Sequence, residues 1–103
     1  MTVLAAFSIT PLGAGESVGG HVAEAVRIVR ASGLPSETNA MFTNVEGEWG
    51  EIMPVIRACV EKVAEAAPRV TVIIKLDWRP GESAGRLSRD VESVERRLVH
   101  VRG

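Results

Sequence analysis

From Thr2 to Pro11 the chain strings together β-branched, aromatic and small residues, and the run ends at a proline followed by a glycine-rich turn. These are strand and boundary signals, and they predict a first strand of ~9 residues. The period then changes. Val18, Val22, Val26 and Val29 recur four, four and three residues apart, with His21, Glu24, Arg27 and Arg30 set off from them, and the pattern stops at Gly33. That spacing predicts an amphipathic helix with Ser17 as its N-cap.

The segment Ser36 to Glu48 is short and holds threonines, Phe42 and Val45, which predicts two short strands folded back near Phe42 to Asn44. Next, Ile52, Val55, Ile56, Cys59, Val60 and Val63 fall at i, i+3, i+4, i+7, i+8 and i+11, a helix with one buried stripe. Pro54 is tolerable there because it lies near the helix start. Val70 to Trp78 reads as a fourth strand, and Leu87, Val91, Val94 and Leu98 mark a third amphipathic helix. The order β-α-β-β-α-β plus a C-terminal helix predicts an α+β, ferredoxin-like sandwich. Right-handed crossovers place the first and fourth strands side by side and antiparallel, with both main helices on one face of a four-stranded antiparallel sheet.

Alternation divides the strands between two faces. Val3, Ala5, Phe7 and Ile9 of the first strand, and Val70, Val72, Ile74, Leu76 and Trp78 of the fourth, are assigned to the helices. Leu4, Ala6, Ser8 and Thr10 then share the opposite face with Thr71, Ile73, Lys75, Asp77 and Arg79. Two hydroxyls, a carboxylate and two cations on that face, expected close to the glycine-rich turn 12–16, can fix a small polar ligand by hydrogen bonds and charge. A solvated face, or one covered by a second subunit, needs no more than polar groups. Ile73 and Leu4 favour at least partial cover, so a homo-oligomer with its ligand at or near an interface is expected.

Composition narrows the function classes. With 103 residues the chain fits one domain spanning 1–103, and 12 basic against 13 acidic residues, interspersed, argue against a nucleic-acid partner. The single cysteine allows no internal disulfide and no multi-cysteine metal cluster, which suits a reducing cytoplasm. The apolar N-terminus lacks a basic leader and is too short to span a bilayer, so no membrane partner is expected. The Gly-Ala-Gly-Glu-Ser-Val-Gly-Gly run at 13–20 has Val18 at the third glycine position of a dinucleotide loop and lacks the GK[ST] ending of a phosphate loop. His21 and His100 have no partner at metal-ligand spacing, and Cys59 falls on the buried stripe of its helix. No nucleophile with a matching base can be assembled, so the chain is not read as an enzyme and no metal or cofactor is expected.

Three segments, residues 7–15 (FSITPLGAG), 40–47 (AMFTNVEG) and 74–79 (IKLDWR), together with the closing VESVERRL helix, resemble a family of small ferredoxin-like proteins described as thiamine-binding. The resemblance covers nearly the whole chain, and its motifs are specific only in combination. It implies a cytoplasmic, non-catalytic protein that binds thiamine or its hydroxymethylpyrimidine moiety and assembles into dimers and tetramers through its sheets. The matching positions are Ser8, Pro11, Gly13, Met41, Thr43 and Glu46, then Gly47, Lys75, Asp77 and Arg79. Ala40 stands where proline is common in the family, and Phe42 where glycine is common.

An aminopyrimidine offers an amino donor beside ring-nitrogen acceptors, and thiazolium is a cation that an acidic or aromatic wall favours. Asp77 and Glu46 are the carboxylate candidates, Ser8 and Thr43 the hydroxyl candidates, with Trp49 or Phe42 for stacking. Thr10 and Met41 complete the expected ligand-binding set. Thiamine binding as a carrier, buffer or sensor is the leading reading. The alternative is a regulatory or scaffolding module that uses the open sheet only for self-association; the fold alone does not choose between them.

Overall fold

The computed structural model describes residues 2–15, 18–78, 92 and 94–98. Ser17, expected to cap the first helix, Arg79 of the charged triplet, Leu87 and Val91 of the C-terminal stripe, and His100 lie outside the described residues. The elements run β1 (Val3–Leu12), α1 (Val18–Ala31), β2 (Ser36–Thr38), β3 (Thr43–Gly47), α2 (Trp49–Ala64) and β4 (Arg69–Trp78). The strands form one sheet in the order β2-β3-β1-β4, with every neighbouring pair antiparallel. This is the ferredoxin-like arrangement that the element order predicts, with β1 and β4 side by side.

The core lies between one sheet face and the two helices. Val3, Ala5 and Phe7 of β1 and Val45 of β3 meet Ala25 and Val29 of α1 and Ile52, Ile56, Cys59 and Val63 of α2. Each fully buried aliphatic side chain there contributes ~1.5–3 kcal/mol relative to exposure. The small Ala25 lets α2 come close enough for the Cys59 thiol to donate to the Ala25 carbonyl at 3.4 Å. On α2 the buried stripe is the one expected. On α1 it has shifted: Ala25 and Val29 seal the core, while Val22 is exposed and Val26 is half-buried.

Local chemistry explains the element ends. The Glu48 backbone N–H at the N-cap of α2 donates to Glu51 Oε1 at 3.0 Å, satisfying an end group that the helix itself leaves open. Pro54 lies inside α2 and forgoes its bond to the Gly50 carbonyl without ending the helix. β1 runs through Pro11 to Leu12 rather than stopping at the proline. From Ser8 onward β1 pairs with β4 alone, and such a one-sided stretch accommodates a residue without an N–H. Gly13 then turns the chain at φ +69°.

The structure corrects the sequence reading at three further places. The hairpin turns at Asn39 to Phe42, not Phe42 to Asn44, because Asn39 closes a backbone hydrogen bond to Phe42 (2.9 Å) and Thr43 already pairs with Phe7. The inner face of β4 is only partly covered: as an edge strand beyond the helices' footprint it leaves Trp78 57% exposed and Ile74 partly open. Finally, Lys75 and Asp77 sit at the sheet end away from the glycine-rich turn. Antiparallel register puts Leu12 opposite Arg69 and sends Asp77 back to Leu4.

Candidate functional site

The outward face carries its charges in rows. Asp77, Leu4 and Glu46 face one another across β4, β1 and β3, and Lys75, Ala6 and Asn44 form the next row. Glu46 is 2% exposed although it belongs to this outward row, and its backbone N–H donates to the Pro35 carbonyl at 3.0 Å. Lys75 and Asp77 are exposed. Ser8 and Thr10 lie farther along β1, opposite Ile73 and Thr71, and Thr71 Oγ1 donates to the Thr10 carbonyl at 3.4 Å. The four residue steps from Ile73 to Asp77, at ~3.3 Å each, put Ser8 ~13 Å from Asp77 along the strand. The open face therefore carries Ser8, Thr10, Lys75 and Asp77 but does not gather them around one point. Ile73, in their midst, is 62% exposed.

A concave site lies on the other side of β1. The β1–β3 ladder ends at Phe7 opposite Thr43, while β1 continues. The space beside it is bounded by α1 and by the turn at Asn39–Phe42, and it forms an open pocket of about 170 Å³. Phe7 and Ile9 of β1, Val22 and Val26 of α1, and Cys59 and Val63 of α2 supply its apolar walls. Thr38, Asn39 and Thr43 supply polar side chains, Ser8 borders the space from a strand position whose side chain faces outward, and Met41 and Phe42 stand at the lip, Met41 74% exposed. Of any two successive residues in the one-sided part of β1, one presents both its N–H and its C=O to the vacated side, within reach of a ligand edge.

Among the described lining residues none is charged. The polar groups are hydroxyls and an amide, all able to donate and to accept, set against an apolar floor and one aromatic side chain at the lip. Such a pocket suits a flat, neutral, heteroaromatic ring with hydrogen-bonding edges; an ion would lose its hydration there without a counter-charge. Burial pushes the Cys59 thiol up to about 11, so the sulfur at the floor is a neutral thiol at physiological pH rather than a nucleophilic thiolate. Among the described residues no group of three or more His, Cys, Asp or Glu is placed to hold a metal ion, and no helix is long and apolar enough to cross a membrane.

Of the seven residues expected to bind ligand, the structure brings Ser8, Met41 and Thr43 together at this pocket. Thr10, Glu46, Trp49 and Asp77 do not line it; Trp49 opens α2 at the opposite end of β3 and is 55% exposed. Sequence reasoning did not single out Phe7, Val22, Val26 or Asn39 as site residues. The available signal was the α1 stripe: Val22 and Val26 exceed what the core needs, because Ala25 and Val29 already close it.

The chain is a ferredoxin-like domain with an uncharged pocket beside a truncated ladder. The model of the thiamine-binding protein family matches residues 5–95, and the chain belongs to that family. Relatives include a UPF0045 protein of Mycobacterium tuberculosis, 55% identical over 100 residues covering 96% of this chain and 97% of that protein. A UPF0045 protein of Methanocaldococcus jannaschii is 38% identical over 99 residues, covering 96% of this chain and 91% of that one. A crystal structure of a hypothetical protein from the same archaeon superposes with TM-score 0.79 at 32% identity, covering 91% of this chain and 96% of that one. A Thermotoga maritima structure, named as a candidate thiamine biosynthesis/salvage protein, superposes with TM-score 0.73 at 18% identity over 89% of this chain and 99% of that one, a likeness of fold alone.

Proposed function

We propose that this chain binds thiamine or its hydroxymethylpyrimidine moiety without transforming it, and that the pyrimidine half occupies the pocket between β1, α1 and the Asn39–Phe42 turn. The observation that carries the reading is the uncharged, ring-sized pocket in a chain of the thiamine-binding family. Thr43 and the backbone of the one-sided part of β1 are assigned to the amino and ring-nitrogen edge of the pyrimidine, Phe42 to its face and Met41 to the lip. The thiazolium cation, or a diphosphate on it, stays outside, where water solvates the charge.

Thr10, Glu46, Trp49 and Asp77 serve the reading differently. Glu46 and Asp77, with Lys75, belong to the outward sheet face, which we assign to self-association in dimers or tetramers; the exposed Ile73 at its centre supports this. Val94 and Leu98, both exposed on the helical residues 94–98, add apolar surface for the same purpose. Carriage, buffering or sensing of the vitamin in the cytoplasm follows as the role.

Titration calorimetry with hydroxymethylpyrimidine, thiamine and thiamine diphosphate tests the proposal. Saturable binding of all three within about tenfold of one another, ~1.4 kcal/mol, is expected, because the shared pyrimidine carries the affinity. No heat and no thermal shift with any of them would leave the outward face as an assembly surface and favour a scaffolding module instead.

A further inference from the structure

We infer that Asn39 is a positioning residue of the pocket, whose side chain fixes the turn that carries Met41 and Phe42 to the mouth. The inference rests on the ligand reading above. Asn39 Oδ1 accepts from the backbone N–H of Met41 and from that of Phe42, at 2.9 Å each, and the Asn39 backbone N–H donates to the Phe42 carbonyl, also at 2.9 Å. The three bonds enclose residues 39 to 42, and every residue of that turn lines the pocket.

These three bonds stiffen the wall from within the turn. The turn contains no residue in the left-handed region: among the described residues only Gly13 and Gly33 have positive φ. Its shape is therefore not imposed by glycine, and an Asx side chain that bonds the backbone two and three residues on supplies the constraint instead. The flanking β2 has three residues, so few ladder bonds reach the turn from that side. Asn39 is exposed, which means that its bonds shape a rim and do not fill the core. Without Oδ1, the Met41 and Phe42 amides turn to water and the segment samples other geometries. The cost of ordering it then falls on ligand binding.

The test compares Asn39→Ala with Asn39→Asp, which keeps the Oδ1 acceptor. Amide hydrogen exchange at Met41 and Phe42 is measured without ligand, and affinity for hydroxymethylpyrimidine by calorimetry. In Asn39→Ala, exchange at both amides speeds at least tenfold, the dissociation constant rises at least fivefold and the melting temperature stays near the wild-type value. In Asn39→Asp both readouts return to within about twofold of the wild type. Unchanged exchange in the alanine variant overturns the inference. Equal loss of affinity in both variants also overturns it, because it assigns the side-chain NH2 to a direct ligand contact. A wild-type protein that binds no hydroxymethylpyrimidine overturns the ligand reading instead, and the exchange rates still decide whether Asn39 holds the turn.

Discussion

Phe42→Ala removes the aromatic side chain from the lip of the pocket while leaving its backbone carbonyl to accept from Asn39. Phe42 is half-buried and stands outside the core cluster, so truncation costs well under the ~3–5 kcal/mol of a core phenylalanine. Binding should suffer more. Stacking of a base-like ring on an aromatic side chain is worth ~1–3 kcal/mol by alanine substitution, which at ~1.4 kcal/mol per decade raises the dissociation constant ~5- to 150-fold. Phe42→Leu keeps an apolar body without a π face and should fall between the wild type and the alanine variant. Calorimetric titration with hydroxymethylpyrimidine, paired with a melting curve for each variant, reads both effects. A folded Phe42→Ala protein that binds within twofold of the wild type would refute the stacking assignment. A leucine variant as weak as the alanine one would instead locate the effect in the ring face alone.

Other consequences can be checked alongside. Burial raises the Cys59 thiol from 9.0 to about 11, so between those values the folded protein holds a proton that the unfolded chain releases. That contribution is fully present below pH 9 and lost toward pH 11; at ~1.36 kcal/mol per pH unit the loss is at most about 3 kcal/mol. Denaturant titrations from pH 8 to 11 should show the decline, and Cys59→Ala should be less stable at pH 8 but without that component. Gly13→Ala places a Cβ at φ +69° and 3.1 Å from Pro68 Cγ, and should destabilise by ~1–2 kcal/mol, read by urea denaturation. Ile73→Glu puts a charge at the centre of the outward face and should shift sedimentation toward smaller species, while hydroxymethylpyrimidine affinity stays within about threefold because the pocket belongs to one chain.

Much of the scaffold was legible because the period of apolar residues maps directly onto burial. The stripe from Ile52 to Val63 is the face of α2 that closes the core, and the alternation Val3, Ala5, Phe7 marks the inner face of β1. The β1–β4 pairing followed from crossover handedness and element order, not from any local motif. The site was less legible, for a geometric reason. Alternation assigns Ser8 to the outward face and suggests that it meets Asp77, but register decides which residues lie abreast, and it places Ile73 there. The pocket exists because β3 begins at Thr43 and leaves the rest of β1 without a neighbour on that side. Where a ladder stops depends on the position of the hairpin turn, which the short segment 36–48 does not mark with any apolar period. Asn39 holds the turn at 39–42 with hydrogen bonds to its own chain, an interaction with no periodic signature. Val22 and Val26 look like core positions for the same reason: a wall of an open pocket and a wall of a sealed core have the same apolar pattern.

The two faces of β1 make competing claims on the ligand, and one titration separates them. Backbone amide shifts of the uniformly labelled protein, followed as hydroxymethylpyrimidine is added, map its place on the chain. Saturable shifts concentrated at Ser8, Ile9, Val22, Val26 and the turn from Asn39 to Thr43 are expected. Shifts concentrated instead at Leu4, Glu46, Lys75 and Asp77 would place the ligand on the outward sheet face and contradict the pocket.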